Sequence, residues 1–164
     1  MERLRLPVVS LGAEHLVIGY LMRRNILAYK APPNNEGYDV ICIHPDPRRT
    51  KKPVRVQVKS RYATDHNGAF PVKAKSLDAF DFLIVVFLNI GYFYRRKLTT
   101  TEYRDPVFYT LPRSFIAKHH RVGSSGWEMV RTRGTDMSRY MNEKGFERVA
   151  KRLGIPRPAR KNAD

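Results

Sequence analysis

Gln57 and Lys59 stand two residues apart in "VRVQVKS" (Val54 to Ser60), where valines alternate with Arg55, Gln57 and Lys59. That period of two predicts a strand with one apolar face, the other carrying a cation, an amide and a second cation. Upstream, "GYDVICIH" alternates as well, so Asp39, Ile41 and Ile43 share a face. Aspartate is a poor strand former; at the head of an apolar strand it needs water or a partner. If the two strands pair, Asp39 lies beside Gln57 and Lys59. A carboxylate, an amide oxygen and an ammonium then meet at a sheet end. The plainer alternatives are a solvated Asp39 closing a loop and a salt-bridged surface patch worth little in stability.

Glu14 is a further candidate. In "LGAEHLVIGYLMRRNI" it falls, at helical spacing, on the same face as Ile18 and Leu21. A charge on an apolar stripe is costly without a partner. Alternatively it lies in the first helical turn, where the helix dipole favours carboxylates.

The elements that must position these groups follow from pattern and punctuation. Ser10 is a candidate N-cap for the first helix, and "APPNNEG" (Ala31 to Gly37) is a loop. "YDVICIH" and "VRVQVKS" are strands, and the span from His44 to Pro53 can return the chain antiparallel. "YATDHNG" is a turn and "AFPVKA" a short strand, with Pro71 marking an edge or an end. "FDFLIVVFLN" has the continuous apolar character of a central strand covered on both faces. "DPVFYTLP" is one more strand. "PRSFIAKHH" begins a short helix with Ser114 as a possible cap. Met137 to Gly154 forms a last amphipathic helix with Tyr140, Phe146, Val149 and Leu153 on one stripe. The expected class is α/β (α+β), a mixed central sheet flanked by helices, in the order α-β-β-β-(α)-β-β-α. One domain over residues 1–155 is expected, followed by a loose basic tail, 156–164.

With 164 residues, 42% of them hydrophobic, the chain can build its own core, which sets global disorder aside. Thirty-one Lys and Arg against 15 Asp and Glu give a formal net charge of +16. An excess this large repels itself unless a polyanion is near. Nucleic acid is the expected partner, and an anionic membrane surface is the rival. The single cysteine, Cys42, excludes an internal disulfide and a cysteine-based zinc site, and its apolar neighbours predict burial. "FLIVVFLNI" is too short to span a bilayer, and "ERLRLPVV" lacks the long apolar core of a secretory signal. A reducing, cytoplasmic location is expected.

An inward Glu on a helix, an Asp opening one strand and x-Gln-x-Lys on the next resemble the PD-(D/E)XK nuclease superfamily. Its pattern is an acid on the first helix, an Asp at the start of one strand and (Glu/Asp)-x-Lys on the following one. Here Glu14, Asp39 and "VQVKS" occupy those places, over residues 10 to 90, most like the small Holliday-junction-resolvase-like members. Gln57 departs from the pattern, since it brings an oxygen without a charge; some members carry glutamine there. The resemblance implies a restriction-endonuclease-like fold and a metal-dependent endonuclease that hydrolyses DNA phosphodiester bonds, on branched or structured DNA. It implies Mg²⁺ or Mn²⁺ as cofactor and often a homodimer. Asp39 would be the main metal ligand, with the Gln57 amide oxygen and the Val58 carbonyl completing the protein side. Lys59 would orient the water or offset developing charge, and Glu14 would hold a water of the cation or a second cation. Asp39, Gln57, Lys59 and Glu14 would thus be the catalytic set.

Basic clusters suit the same substrate. Arg48, Arg49, Lys51 and Lys52 lie in the loop between the two motif strands, with Arg55 and Arg61 in or at the end of the second. Arg95 and Arg96 follow the central strand, and Arg131, Arg133 and "RPARK" (Arg157 to Lys161) add more. Such groups position phosphates and read no sequence. His119 and His120 lack the third ligand that a metal site requires, and "GSSG" (Gly123 to Gly126) is a turn and not a phosphate cradle. Two other readings stay open: a catalytically inactive member that only binds nucleic acid, and a basic membrane-surface or partner-binding protein using the last helix.

Overall fold

The computed structural model describes residues 7–49, 52–62, 68–90 and 103–159. The first helix, α1 (Pro7–Arg23), begins earlier than Ser10, so Ser10 is inside the helix and not its cap. The helix stops at Asn25, whose φ of 63° lets the Ile26 amide return to the Leu21 carbonyl at 3.0 Å.

A five-stranded sheet follows. Strand β1 (Leu27–Lys30), unforeseen in the sequence, pairs antiparallel with β2 (Val40–Ile43), and β2 with β3 (Val54–Arg61). After a short strand β4 (Ala69–Pro71) comes β5 (Phe82–Phe87), which runs parallel to β3, and then β6 (Val107–Pro112), antiparallel to β5. The order across the sheet is β1-β2-β3-β5-β6. Every residue of β5 is buried, as its unbroken apolar run predicts. Helix α2 (Arg113–His119) follows β6 directly; its N-cap position is Pro112, so Ser114 is not the cap. Between β4 and β5 there is only a 3-10 turn, Ala74–Ser76. Strands β7 (His120–Val122) and β8 (Glu128–Arg131) join β4 in a second sheet, ordered β4-β8-β7. The turn at Gly123–Gly126 connects them, closed by the Gly123 amide on the Trp127 carbonyl at 2.8 Å.

The last helix, α3 (Asn142–Arg152), is shorter than the expected Met137 to Gly154. Residues Ser138–Tyr140 form a 3-10 turn, Met141 is extended and bridges Tyr109, and Asn142 has a φ of 47°. The Asn142 side chain accepts the Phe108 amide at 2.9 Å, so docking on β6 sets where the helix starts. Gly154, at φ 72°, ends it and turns Ile155 back into the core.

The main sheet thus has helices on one face and a helix with a small sheet on the other. Ala13, Val17 and Leu21 of α1 and Phe146, Val149 and Ala150 of α3 pack with Val54, Val56, Val58, Ile84 and Phe108. An ion pair between Arg24 and Glu147 joins α1 to α3, and the Tyr20 ring is 5.9 Å from that of Phe146. On the other face Leu83, Val85 and Phe87 pack with Phe70, Phe115, Ile116 and Val130. This is the mixed sheet flanked by helices, with the helix, paired strands and central strand that the resemblance to the PD-(D/E)XK nucleases implied. Among the described residues no helix is long and apolar enough to cross a membrane. The apolar face of α3, which a membrane-surface reading would need, is spent on the core.

Candidate active site

Strands β2 and β3 pair with Val40 opposite Val56, so one step outward places Asp39 opposite Gln57. The backbone of Asp39 is fixed on both sides: its amide donates to the Val56 carbonyl at 2.9 Å, and its carbonyl accepts the Ala31 amide at 2.8 Å. Beyond Asp39 the ladder ends, and the next inward-facing amide of β3, that of Val58, would lose its partner. The Asp39 side chain replaces it: the Val58 amide donates to Oδ2 at 2.7 Å. In this pairing a residue's N–H and C=O face the same neighbour, so the Val58 carbonyl is directed to the same gap.

A cavity of about 280 Å³ opens there, lined by Ser10, Glu14, Asp39, Gln57, Val58, Lys59, Ser60 and Arg61. The four expected catalytic side chains therefore border one space. Gln57 Oε1 is buried and has no hydrogen-bond partner among the described residues. Such an orphan calls for an explanation, and a hard cation beside the Asp39 carboxylate supplies one. The donors are a carboxylate, an amide oxygen and a backbone carbonyl, the oxygen set that suits Mg²⁺ or Mn²⁺ with retained waters. Among the described residues no group of three or more His, Cys, Asp or Glu is placed to hold a metal. What the described residues offer at the cavity is neutral oxygens beside the carboxylates of Asp39 and Glu14.

Glu14 reaches the cavity from α1, but its carboxylate is also engaged by Lys30 of β1 in an ion pair with the Glu14 side chain only 18% exposed. The only sequence signal for that partner is the alternation of "LAYK", too short at four residues to mark a strand. Ser10 and Ser60 also line the cavity. Ser60 belongs to the "VRVQVKS" motif, whereas Ser10, expected as a cap, lines the cavity from within α1.

Arg61 forms one wall. Its guanidinium donates to the Ser60 carbonyl at 2.9 Å and the Ala69 carbonyl at 2.6 Å, and lies 4.7 Å over the Phe70 ring. Burial lowers its pKa from the ordinary arginine value. Arg55 is not brought to the cavity: its amide and Nε both donate to Asp81 Oδ2, at 2.9 and 3.3 Å. Burial works against ionisation of Asp81, but the hydrogen bonds and charge of Arg55, with Arg113 behind them, hold its carboxyl below the usual range.

The other cations are more distant. Arg48, Arg49 and Lys52 lie at the opposite end of the β2–β3 pair, where with Lys151 and Arg152 they line a depression of about 510 Å³. Arg48 also binds Asp46 through Nε at 2.9 Å. Lys51, Arg95 and Arg96 lie outside the described residues. His120 is engaged by the Val72 carbonyl at 2.9 Å, and His119 stacks on Phe115 at 4.2 Å. Cys42 is buried, and the loss of solvent pushes its thiol up to about 12.

No protein-family model and no curated protein matches the chain. Two solved structures are similar to it in fold. One is a bacterial homing endonuclease, 17% identical with a TM-score of 0.49, matched over 92% of this chain and 91% of that one. The other is the Holliday junction resolvase Hjc of the archaeal hyperthermophile Archaeoglobus fulgidus, 8% identical with a TM-score of 0.46, matched over 92% of this chain and 99% of that one.

Proposed function

We propose that this chain is a nuclease that hydrolyses DNA phosphodiester bonds with the help of a divalent cation, Mg²⁺ or Mn²⁺, on branched or structured DNA. The observation that carries the reading is the anchored Asp39 carboxylate facing the buried, unpartnered Gln57 Oε1 in one cavity with Lys59. Asp39, Gln57 and the Val58 carbonyl would hold the cation. When bound, the cation lowers the pKa of water and polarises the phosphoryl group.

The chain's own groups supply the rest. Lys59 places a positive charge beside the reacting phosphate and offsets the negative charge that develops there. The Val58 amide fixes Asp39, so no reorganisation of that carboxylate is needed during the reaction. Glu14 draws Lys30 to the rim, and Arg61 offers a second charge on the wall. The net charge of +16 favours association with the substrate.

The test is cleavage of branched and linear DNA with Mg²⁺ or Mn²⁺, against a chelated control. Cation-dependent products that disappear in Lys59→Ala support the reading. A second reading, an inactive member that only binds nucleic acid, is favoured by the uncharged Gln57 and by the engagement of Glu14 with Lys30. DNA binding without cleavage under any divalent cation would select it.

A further inference from the structure

The second sheet turns one face to the core and the other to water. Phe70 and Val130 are buried, and His120, the register partner of Val130, closes onto the Val72 carbonyl. Alternation sends Arg121 and Arg131 the other way. With Arg133 and His119 they line a depression of about 430 Å³. Glu128, the sole acid of β7 and β8, falls by the same alternation on the face of Val130, where its carboxylate accepts the Ala74 amide. His119 is held toward its neutral form, first by burial and then by Lys118 and Arg121, as expected in an uncompensated positive field.

This surface begins at the active-site cavity. Arg61 lines that cavity and donates to the Ala69 carbonyl, and Ala69 is the register partner of Arg131. From Ala69 across β8 to β7 is two strand spacings, about 10 Å. A nucleic-acid strand carries one phosphate per nucleotide, so a strip of this length can follow more than one of them. At its far end Trp127 is 64% exposed, and it is the only tryptophan in the chain.

We propose that the outward face of the β4-β8-β7 sheet holds the phosphodiester backbone of the DNA that enters the cavity, with Arg131, Arg121 and Arg133 on its phosphates and Trp127 against the same strand. The proposal rests on the nuclease reading for its substrate. It gives a role to the C-terminal third of the chain, which the motif residues leave unexplained.

The test uses the full chain and a labelled DNA duplex. Label anisotropy reports binding, and acrylamide quenching of the single tryptophan reports its location. Trp127 should become protected in step with the anisotropy. Replacing Arg121, Arg131 and Arg133 together by Ala should flatten the dependence of log K on log salt by about two to three units, since each phosphate contact contributes about 0.9. Binding that leaves either the Trp127 quenching or the triple variant's salt slope unchanged overturns the proposal, while cation-dependent cleavage keeps the nuclease reading. A parent chain that neither binds nor cuts DNA overturns both.

Discussion

The Val58 amide and the Asp39 carboxylate are joined at 2.7 Å across the end of the β2–β3 ladder. The bond does two things. It satisfies an amide that the shortened β2 leaves without a backbone partner, and it commits Oδ2 of Asp39 so that the carboxylate has one orientation. Gln57 stands opposite, its oxygen buried and unpartnered. On the nuclease reading, charge at position 57 is therefore the variable that would separate strong from weak cation binding.

Gln57→Glu changes that charge and little else, because the two side chains have nearly the same shape. It should tighten Mn²⁺ binding at least tenfold, about 1.4 kcal/mol. Asp39→Asn should lose most of the binding. Calorimetric titration of the parent and both variants decides. If neither substitution alters the titration, no cation lies between these strands and the polar face of β3 is a binding surface.

Lys59→Ala should slow cleavage by about 10²–10³, the usual cost of removing one aligned group that stabilises transition-state charge. Its DNA affinity should stay within about twofold, since Lys59 is one of 31 lysines and arginines. Equal cleavage rates in single-turnover assays would make Lys59 an ordinary surface lysine.

Asp81 is a structural counterpart: its side chain is 11% exposed and pairs with Arg55 and Arg113. Its folded-state pKa is depressed. The stabilisation is therefore complete above the unfolded value, about 3.9, and lost as pH falls through the folded value. Asp81→Asn should cost about 1–3 kcal/mol at neutral pH, with the gap to the parent closing in acid. Urea unfolding at pH 7 and pH 3 measures both; a gap independent of pH would contradict the ion-pair account.

Gly37→Ala tests how the loop before Asp39 is held. Gly37 has a φ of +103°, and an added Cβ would sit 2.3 Å from the Ala79 Cβ. Strain of this kind costs about 1–3 kcal/mol, and relief of the contact would shift the start of β2. The variant should unfold at lower temperature and bind Mn²⁺ more weakly. Ala79→Gly in the same chain should restore part of the stability, because it removes the clash and leaves the φ penalty.

The central strand and the motif hairpin were legible in the sequence because both obey a local rule. Phe82–Phe87 is an unbroken apolar run, and Val54, Val56 and Val58 alternate with polar residues. Asp39 and Gln57 could be placed together once those two strands were assumed to pair. What could not be seen depended on partners far away in the chain. Strand β1 has four residues, and β7 has three that continue directly from α2, too few for a period to register. Strand β4 pairs with β8 across some sixty residues of sequence, not with the main sheet. The engagement of Glu14 by Lys30 depends on how α1 lies against β1, and the start of α3 on where Asn142 meets β6.

The contact between Arg24 and Glu147, with Tyr20 against Phe146, ties the two ends of the chain into one cluster. The helix that carries Glu14 rests partly on residues of α3, far along the chain. A nascent chain that stops before Asn142 lacks Phe146, Val149 and Ala150, so the surface beneath α1 stays wet. Long-range closure of this kind comes late in folding. A chain cut before Asn142 therefore loses the packing that seats α1, and with it the position of Glu14 at the cavity.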